Sequence, residues 1–366
     1  MEEGLWASII DKRHNFLYSR SFYSFMGLNI GEIVPRKAIE FSELKGKTIA
    51  IDASNVIYQF LSTIRQADGT PLQDKKGRIT SHLSGLFYRN INLMREGLKL
   101  VYVFDGKMPE LKYGTMKGRE EVKEEARKKY EKAVKEEDVE AMRRYSQQLA
   151  RLTPEIKEES IELLEALGIQ CIQAPSEAEA QASYLAKKGK AYAVGSQDYD
   201  SLLFQAPILI QNLTLARKRK TVSGWVYISP EMIELEKLLN SLQINHEQLI
   251  CLGILAGTDY NPGGIRGIGQ KRALEIVRRY KYPIKIFESM EEEMKKMPEE
   301  KWFDWKEIFP LFKNPDVKDF DIKFPKLNEK KVKKILVDRD FSEERIENAL
   351  ERLGQAKKKA TQKTLF

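Results

Sequence analysis

The sequence predicts an α/β fold in which a twisted, mainly parallel sheet is flanked by helices. Short apolar segments rich in β-branched residues alternate with amphipathic helical segments, the order found in parallel sheets with crossover helices. Several of the apolar segments are followed directly by an acid, as at Asp52 and Asp105. The chain has 366 residues, 42% of them hydrophobic, so it is long enough for two or three domains.

The first strands and helices are predicted from the residues that separate them. Gly46 precedes an apolar run that ends in an acid, and two helical segments separated by a polar loop follow before the next apolar run. Residues 1–25 carry an aromatic cluster without a helix or strand period, and we treat them as an extra segment. The predicted elements are a strand at 47–52, a helix at 54–64, a loop at 68–77, a helix at 81–96 and a strand at 98–104.

Residues 112–151 have a different composition from the rest of the chain. They contain 12 Lys and Arg against 9 Asp and Glu, with few apolar residues between them. This composition is typical of exposed helices stabilised by charge pairs four residues apart.

The second half of the chain repeats the alternation of strands and helices. Thr153 and Pro154 form an N-cap followed by a proline at the first helical position, and Gly168 ends that helix. From Ser229 to about Tyr280 we predict helices with one Gly-rich interruption, followed by short helices and a basic tail. The other predicted elements are a strand at 169–173, a helix at 176–188, a strand at 191–196 and a strand at 225–228.

The composition excludes several classes of protein. The formal net charge is +8, from 62 Lys and Arg against 54 Asp and Glu, so the clustering of the basic residues decides whether a polyanion is the partner. No apolar stretch approaches the roughly 18 residues that cross a bilayer, and we expect a soluble, intracellular protein. Two cysteines exclude a disulfide framework and a thiolate zinc site. Three histidines argue against imidazole-based catalysis and direct attention to carboxylates.

Acids at predicted strand ends and at one helix start form the first candidate site. In an open α/β sheet, ligands bind at the carboxyl edge of the strands, and Asp52, Asp105 and Asp198 each follow an apolar strand. Glu177 and Glu179 lie in the first turn of a predicted helix. Any one of these acids taken alone is better explained by helix capping and by the helix dipole than by a functional site.

The chemistry of the whole set favours bound cations. Asp200 lies two residues after Asp198, and the two face the same side only if the segment is extended. Acids gathered in a partly buried cleft repel one another unless cations neutralise them. Oxygen ligands select hard ions such as Mg²⁺ or Mn²⁺. Two such ions about 4 Å apart activate water and stabilise both oxygens of an in-line phosphoryl displacement.

A Gly-rich turn forms the second candidate site. Glycines at 264, 267 and 269 lie between two predicted helices, and Lys271 and Arg272 follow at the start of the second helix. Exposed backbone amides at a helix N-terminus bind phosphate. A structural turn has the same pattern, but the flanking basic residues favour sequence-independent contact with a DNA backbone.

Eight short motifs follow one another along the chain. They are Ile51-Asp-Ala-Ser54, Tyr58-Gln-Phe-Leu61, Thr80-Ser-His-Leu83, Val103-Phe-Asp-Gly106, Ala174-Pro-Ser-Glu-Ala-Glu179, Ser196-Gln-Asp-Tyr-Asp200, Gly257-Thr-Asp-Tyr260 and the turn at 264–269. In type and order they resemble those of the flap endonucleases, the structure-specific 5′ nucleases of replication and repair. The overall pattern is similar to the archaeal members from about Met26 to Phe366.

The resemblance implies a PIN-like sheet with a helical arch and a helix–two-turn–helix region, and a site for two Mg²⁺ ions, for which Mn²⁺ can substitute. It also implies catalytic roles for Asp198, Lys112 and Arg119, the last two contacting the scissile phosphate from the foot of the arch. Lys112 and Arg119 are seven apart and would share a helix face. The implied metal ligands are Asp52, Asp105, Glu177 and Glu179 for the first ion and Asp198, Asp200 and Asp259 for the second.

The resemblance further implies contacts with DNA. Tyr58 matches the aromatic on which a nucleotide stacks, although a core tyrosine would look the same, and Thr80 falls where the family receives a one-nucleotide 3′ flap. The turn at 264–269 resembles the part that grips duplex phosphates and binds K⁺. The DNA-binding residues expected in this way are Tyr58, Arg65, Thr80, Lys112, Arg119, Glu177, Gly257, Asp259, Gly267, Gly269, Lys271 and Arg272.

Three features depart from the family pattern. Family chains begin at a Met-Gly pair, here at position 26, so we expect translation to start at Met26. The segment 74–78 stands where eukaryotic members carry an acidic run, a feature that is therefore not transferred. The tail resembles a sliding-clamp peptide in which Gln362 and Leu365 are present and the final aromatic pair is missing, with Phe366 directly after Leu365. We expect clamp binding weakened by that loss, because binding energy concentrates in such anchors.

We therefore expect a metal-dependent endonuclease that cuts 5′ flaps at the junction of single- and double-stranded DNA and acts as a 5′-3′ exonuclease at nicks or gaps. We expect a monomer in the cytoplasm, associated with chromosomal DNA and acting in repair and in the maturation of Okazaki fragments. A non-catalytic DNA-binding scaffold with a degenerate nuclease fold and a related RNA-cleaving nuclease remain open. The expected regions are an extra segment at 1–25, nuclease regions at 26–125 and 152–280, an arch at 112–151, a helix–two-turn–helix at about 248–280, a helical region at 281–354 and a tail at 355–366.

Overall fold

The structure is a computed structural model that describes residues 28–66, 68–214, 218–221, 224–298 and 301–362. Only the backbone is described at 113–117, 119, 139, 143, 218–221, 225–226 and 359–362. The expected extra segment at 1–25 and the expected start at Met26 therefore lie outside the described residues. The same holds for Leu365 and Phe366 of the expected clamp peptide, and for the side chain of Gln362.

A mainly parallel sheet forms the centre of the molecule. Its strands lie in the order β1-β9-β6-β5-β2-β3-β4, and the five from β6 to β4 are parallel. Strand β9 runs antiparallel to β6 and β1 antiparallel to β9, while β7 and β8 form a separate hairpin. In chain order the strands are β1 (Lys37–Ala38), β2 (Thr48–Asp52), β3 (Lys99–Phe104), β4 (Gln170–Gln173), β5 (Ala193–Gly195), β6 (Ile208–Gln211), β7 (Lys218–Thr221), β8 (Gly224–Tyr227) and β9 (Glu231–Glu234).

Helices cover both faces of this sheet. The alternating side chains of β3 separate the two packed layers, because Val101 and Val103 join one hydrophobic cluster while Leu100 and Tyr102 join the other. The helices are α1 (Ala53–Thr63), α2 (Ser81–Arg95), α3 (Tyr113–Lys135), α4 (Val139–Gln148), α5 (Pro154–Ala166), α6 (Ala178–Lys187), α7 (Asp200–Leu203), α8 (Leu235–Leu242), α9 (His246–Ala256), α10 (Gln270–Tyr280), α11 (Pro283–Glu288), α12 (Glu291–Lys295), α13 (Trp305–Lys313), α14 (Glu329–Val337) and α15 (Glu343–Gln362).

The burial of the central strands explains why they form a parallel sheet. Ile49, Ala50 and Ile51 of β2 are fully buried, as expected for a strand covered by helices on both faces. The register joins Ile51 to Tyr102 on one side and to Gly195 on the other. The carboxyl ends of β2, β3 and β5 therefore meet at one edge of the sheet.

The charged segment at 112–151 folds into α3 and α4, which pack mainly on one another. Their outer faces are exposed and carry ion pairs four residues apart, such as Arg127 Nε to Glu131 Oε1 at 3.2 Å. The prediction of exposed helices stabilised by charge pairs is confirmed, and it follows from composition because such pairs need no buried core.

The sequence prediction differs from the structure around β6 and β9. The helical prediction from Ser229 is wrong at its start, because Glu231–Glu234 is strand β9. The segment reads EMIE, whose intrinsic preference is weak, and it becomes a strand because its backbone pairs with Ile208–Gln211 in β6. Strands β1, β6 and β7 were not predicted either, since each is only two to four residues long.

The C-terminal helices return to the sheet through a segment without regular structure at 314–328. The buried Gln181 side chain binds the Lys318 backbone in both directions, accepting from its N–H at 2.9 Å and donating to its carbonyl at 2.8 Å. Gln170 binds the carbonyl of Asp321 and the N–H of Lys323 in the same way. Among the described helices, none combines the length and apolar character that a membrane span needs.

Candidate active site

Two acids lie side by side at the carboxyl ends of β2 and β3. Asp52 ends β2 and caps α1, with its Oδ1 accepting the N–H of Asn55 at 3.1 Å. Asp105 follows β3, and its carboxylate accepts the N–H of Ala178 at 2.9 Å and the hydroxyl of Ser54. The strand-end prediction is confirmed for the positions of both acids, because parallel register brings the ends of neighbouring strands together.

The turn after β5 adds Asp198 and Asp200 to this edge. The side-chain amide of Asn55 donates to Asp198 Oδ2 at 2.7 Å, which ties this turn to the start of α1. The segment is not extended, since the intervening Tyr199 has αR backbone angles and Asp200 begins the short helix α7. The two acids therefore reach the site from a turn and from a helix start.

The helix start after β4 supplies the next pair. Glu177 is the N-cap residue of α6 by backbone position, yet its side chain makes no capping hydrogen bond. Its carboxylate instead accepts the hydroxyl of Tyr260. Glu179 lies in the first turn and accepts the hydroxyl of Ser196 at 3.3 Å. Simple capping is therefore not the role of the Glu177 side chain.

The basic residue nearest to these acids is Lys112, at the end of a short 3-10 helix at Glu110–Lys112. Its ammonium pairs with Glu177 and lies 3.4 Å from Asp259 Oδ2, and it sits 5.3 Å from the centre of the Tyr260 ring. Burial opposes its charge, but the carboxylates of Glu177 and Asp259 outweigh burial and raise the pKa of Lys112. This side chain is therefore a permanent cation within the acid cluster.

Burial and mutual repulsion perturb the acids themselves. Burial, with the charges of Asp105 and Asp198, raises the pKa of Asp52 well above its ordinary value. Burial and the charges of Asp200, Asp52 and Asp198 do the same for the pKa of Glu179. Such shifts show that ionised forms are held at a cost that a nearby positive charge relieves.

Asp200 links the two ends of the cluster. Burial raises its pKa well above the ordinary value, and the charges of Asp259, Asp198 and Glu177 add to the effect while Lys112 opposes it. The charge interactions of Asp52, Glu179 and Asp200 connect all seven acids that are expected to bind metal. They are Asp52, Asp105, Glu177, Glu179, Asp198, Asp200 and Asp259.

The chemistry of the donor set in this cluster fits hard divalent cations. In the described parts of the chain, no three acidic, histidine or cysteine side chains form a ready-made metal site. Oδ1 of Asp200 is buried and has no hydrogen-bond partner, so it is available to a cation. A donor set made of carboxylate oxygens suits Mg²⁺ or Mn²⁺ better than a softer metal.

The residues expected to contact DNA from α1 and α2 are partly occupied by the protein itself. Tyr58 is half-buried and packs against the hydrophobic cluster on its face of the sheet. Arg65 donates to the carbonyls of Ser62 at 3.0 Å and Gly69 at 2.9 Å, so it fastens the loop after α1. Thr80 is only 4% exposed, at the N-terminus of α2. Their roles toward DNA remain predictions.

The Gly-rich turn joins α9 to α10 and presents basic side chains. Gly264 has φ +55°, and a Cβ there would lie 2.3 Å from the carbonyl oxygen of Leu255, so glycine is required by both conformation and space. Gly257 and Gly267 also have positive φ, and Gly269 precedes α10 as its N-cap. At the start of α10, Lys271 and Arg272 are exposed.

Arg119 lies in α3, but its side chain is outside the described residues, so its expected contact with phosphate stays a prediction. Lys112 precedes the body of α3 as its N-cap, and the two residues do not share a regular helix throughout. The arrangement seen for Lys112 points into the acid cluster rather than along a solvated face.

Sequence reasoning missed the neutral residues that hold the acids in place. Asn55, Ser54, Ser196 and Tyr260 each donate a hydrogen bond to one of the seven carboxylates. All four lie within three residues of one of the acids in sequence, but each binds a carboxylate that is at least 17 residues away. Tyr260 is 83 residues from Glu177 along the chain, and no local pattern reveals such a contact.

Family models and known relatives match long stretches of the chain. The XPG N-terminal domain matches residues 29–126, and the XPG I-region matches residues 168–259. Flap endonuclease 1 of Pyrococcus furiosus is 53% identical over 344 residues, covering 93% of this chain and 98% of the relative. Flap endonuclease 1 of Hyperthermus butylicus is 52% identical over 339 residues, covering 90% and 95%.

A solved structure has the same fold. The flap endonuclease-1 from Methanococcus jannaschii is 40% identical, covers 90% of this chain and 98% of its own, and superposes with a TM-score of 0.69. The expected sheet flanked by helices is thereby confirmed. Because about half of its residues match relatives across nine-tenths or more of its length, the chain belongs to the flap endonuclease family of structure-specific nucleases.

Proposed function

We propose that the chain hydrolyses one phosphodiester bond of a 5′ flap at the junction of single- and double-stranded DNA, and removes 5′ nucleotides at nicks or gaps, in replication and repair. The observation that supports this most is the joining of seven acids with the Lys112 ammonium at the carboxyl edge of the sheet. A phosphodiester is an anion, so its cleavage beside so many acids requires added positive charge.

Nucleases of this family depend on divalent metal ions, and we assign two Mg²⁺ to this site, with Mn²⁺ able to replace them. Asp52, Asp105, Glu177 and Glu179 would hold one ion. Asp198, Asp200 and Asp259 would hold the other. When bound, such ions lower the pKa of water and stabilise the attacking and leaving oxygens of an in-line displacement.

The residues of this chain then supply position and charge. Lys112, kept protonated by its carboxylate neighbours, is the cation available to the scissile phosphate, and Arg119 is the second. Tyr260 fixes the Glu177 carboxylate by donating a hydrogen bond to it from its hydroxyl group. Asp198, fixed by Asn55, completes the catalytic set.

DNA would contact three parts of the molecule. The turn containing Gly257, Gly267 and Gly269, with Lys271 and Arg272, would hold the duplex through its phosphates with a K⁺ at the turn. Helices α3 and α4, the arch at 112–151, would receive the single strand. Tyr58, Arg65 and Thr80 would contact the DNA near the junction. Specificity then comes from the shape of the branched DNA rather than from its bases.

The tail is proposed to bind a sliding clamp weakly, through Gln362, Leu365 and Phe366, and the enzyme to act as a monomer. Because the final aromatic pair of the motif is missing, we expect a weaker complex than one with the full motif, since interface energy concentrates in such anchors.

One substitution tests whether this site is needed for DNA cleavage but not for DNA binding. Asp198→Ala is expected to abolish cutting of an end-labelled 5′ flap in Mg²⁺ while flap binding, followed by fluorescence anisotropy in EDTA, stays nearly unchanged. Asp316→Ala is the control, because Asp316 is exposed and distant in sequence from the site. If the unmodified chain binds the flap but does not cut it in Mg²⁺ or Mn²⁺, it is a non-catalytic scaffold instead.

A further inference from the structure

Asn55 makes three hydrogen bonds that connect separate parts of the acid cluster. Its backbone N–H donates to Asp52 Oδ1 at 3.1 Å, and its side-chain amide donates to Asp198 Oδ2 at 2.7 Å. Its side-chain carbonyl accepts the N–H of Gln197 at 3.3 Å. One residue therefore contacts an acid of each of the two proposed ligand groups.

The fold explains how a single side chain reaches both. Asn55 is the third residue of α1, which starts directly at the end of β2. Strand β5 is the parallel neighbour of β2, with Ile51 opposite Gly195, so the turn after β5 passes beside the first turn of α1. The Asn55 amide lies across the gap between them.

The turn at 196–198 is fixed from other directions as well. The side-chain amide of Gln211 in β6 donates to the carbonyl of Gln197 at 2.7 Å, and the hydroxyl of Ser196 accepts the N–H of Asp198 at 3.2 Å. These bonds hold the backbone of the turn. Asn55 additionally orients the Asp198 carboxylate and relates it to Asp52.

The chemistry of the contact requires an amide. A carboxylate at this position would repel Asp198, and an aliphatic side chain would leave the Gln197 N–H and an Asp198 oxygen without these partners. An amide supplies one donor and one acceptor at the same place without adding charge to a cluster that already repels itself.

We propose that Asn55 is a positioning residue that sets the Asp198 carboxylate relative to Asp52, so that the two ligand groups bind their divalent cations as one site. The proposal rests on the metal-dependent function given above. Residues that orient metal ligands typically change metal affinity or activity by about 10–100-fold when they are replaced.

The test is the binding of Mn²⁺ to the protein without DNA. Calorimetry measures this binding, and so does the loss of the free-ion signal in electron paramagnetic resonance. Asn55→Leu, of similar size, is expected to weaken Mn²⁺ binding about 10-fold, with flap binding in EDTA nearly unchanged. The thermal unfolding midpoint should fall only modestly, through the loss of the two side-chain hydrogen bonds. The cleavage rate should recover as the Mn²⁺ concentration is raised, whereas KM for DNA should not change. Asn55→Ala, which suits a helix, is the second variant should Asn55→Leu fail to fold.

Asn90→Leu is the matched control. Asn90 is a fully buried amide in α2 that accepts the Tyr102 hydroxyl at 2.8 Å within the core, so its loss should leave Mn²⁺ binding unchanged. Unaltered Mn²⁺ affinity in folded Asn55 variants, with the unmodified chain binding two ions, overturns the positioning role alone. Absence of Mn²⁺ binding by the unmodified chain overturns both this role and the metal-dependent function.

Discussion

The ammonium of Lys112 is ion-paired with the carboxylate of Glu177, at the point where a short helix before α3 meets the start of α6. A cation from the base of the charged helices therefore lies inside the acid cluster of the sheet. The contact joins the surface proposed for the single strand to the proposed site of hydrolysis. Loss of the Lys112 charge should therefore have two effects that can be measured separately.

Lys112→Met keeps the aliphatic stem and removes the charge. We expect the cleavage rate to fall about 10²–10³-fold, because a positive group facing the transferring phosphate is lost. The metal-free chain should also become less stable, since Lys112 opposes the repulsion among Asp52, Glu179 and Asp200. Single-turnover kinetics and urea unfolding in EDTA measure the two effects.

Lys107→Met is the control for this change, because Lys107 is exposed and only five residues away. A Lys112→Met enzyme that cuts at the normal rate would contradict the proposed role of Lys112 toward the scissile phosphate.

Removal of the Tyr260 hydroxyl tests how Glu177 is held. In Tyr260→Phe the ring keeps its edge contact with Phe312, at 5.2 Å between centroids, so the fold should be retained. Glu177 loses its hydroxyl donor, and we expect metal affinity and cleavage to fall about 10-fold. Titration with Mn²⁺ and flap cleavage measure the change, with the exposed Tyr282→Phe as control. Equal affinity in both variants would contradict the positioning of Glu177 by Tyr260.

The raised pKa of Asp200 predicts how pH and stability are linked. Because the folded pKa exceeds that of the unfolded chain, ionisation of Asp200 costs folding free energy at neutral pH, and this cost disappears as pH falls through the raised value. In EDTA, Asp200→Asn should therefore increase the free energy of unfolding near neutral pH, because the cost of holding a buried charge among like charges is removed. The difference in the free energy of unfolding between Asp200→Asn and the parent chain should shrink as the pH is lowered toward the ordinary pKa of carboxyl groups.

Urea unfolding of both chains across this pH range measures the difference, and the exposed Asp316→Asn should show none. The same Asp200→Asn chain should lose stabilisation by Mg²⁺. A variant less stable than the parent at neutral pH without metal would contradict the repulsion.

Gly264 is expected to be the most sensitive glycine of the turn between α9 and α10. Gly264→Ala forces a side chain to φ +55° and into the Leu255 carbonyl, so we expect a loss of about 1–3 kcal/mol of stability and weaker duplex binding. Gly269→Ala is the matched change, because Gly269 has φ −85° and open space around it. Denaturation and anisotropy with duplex DNA compare them, and equal stability of the two variants would contradict the steric argument.

The sequence was sufficient for the central strands and for the acids because both depend on local patterns. An apolar run ending in an acid identified β2 with Asp52 and β3 with Asp105, and parallel pairing then brought the acids together. Asp259 was different, since it follows no strand and entered only through the family resemblance. Its place beside Lys112 depends on the packing of α9 against the sheet layer.

What could not be predicted depends on distant partners. The EMIE segment of β9 reads as helix because its strand state comes from pairing with β6 rather than from its own residues. Likewise, Asn55 looks like an ordinary residue in the first turn of α1. Its contact with Asp198, 143 residues later, exists only because β2 and β5 are neighbours.

The most direct test of the account is cleavage of a panel of end-labelled DNA substrates in Mg²⁺: a 5′ flap, a 3′ flap, a nicked duplex, a single strand, and an RNA version of the 5′ flap. We expect one main product from the 5′ flap, ending at the junction, slower removal of 5′ nucleotides at the nick, and no cutting after EDTA is added. Equal cutting of 5′ and 3′ flaps, preference for the RNA flap, or full activity in EDTA would contradict the account.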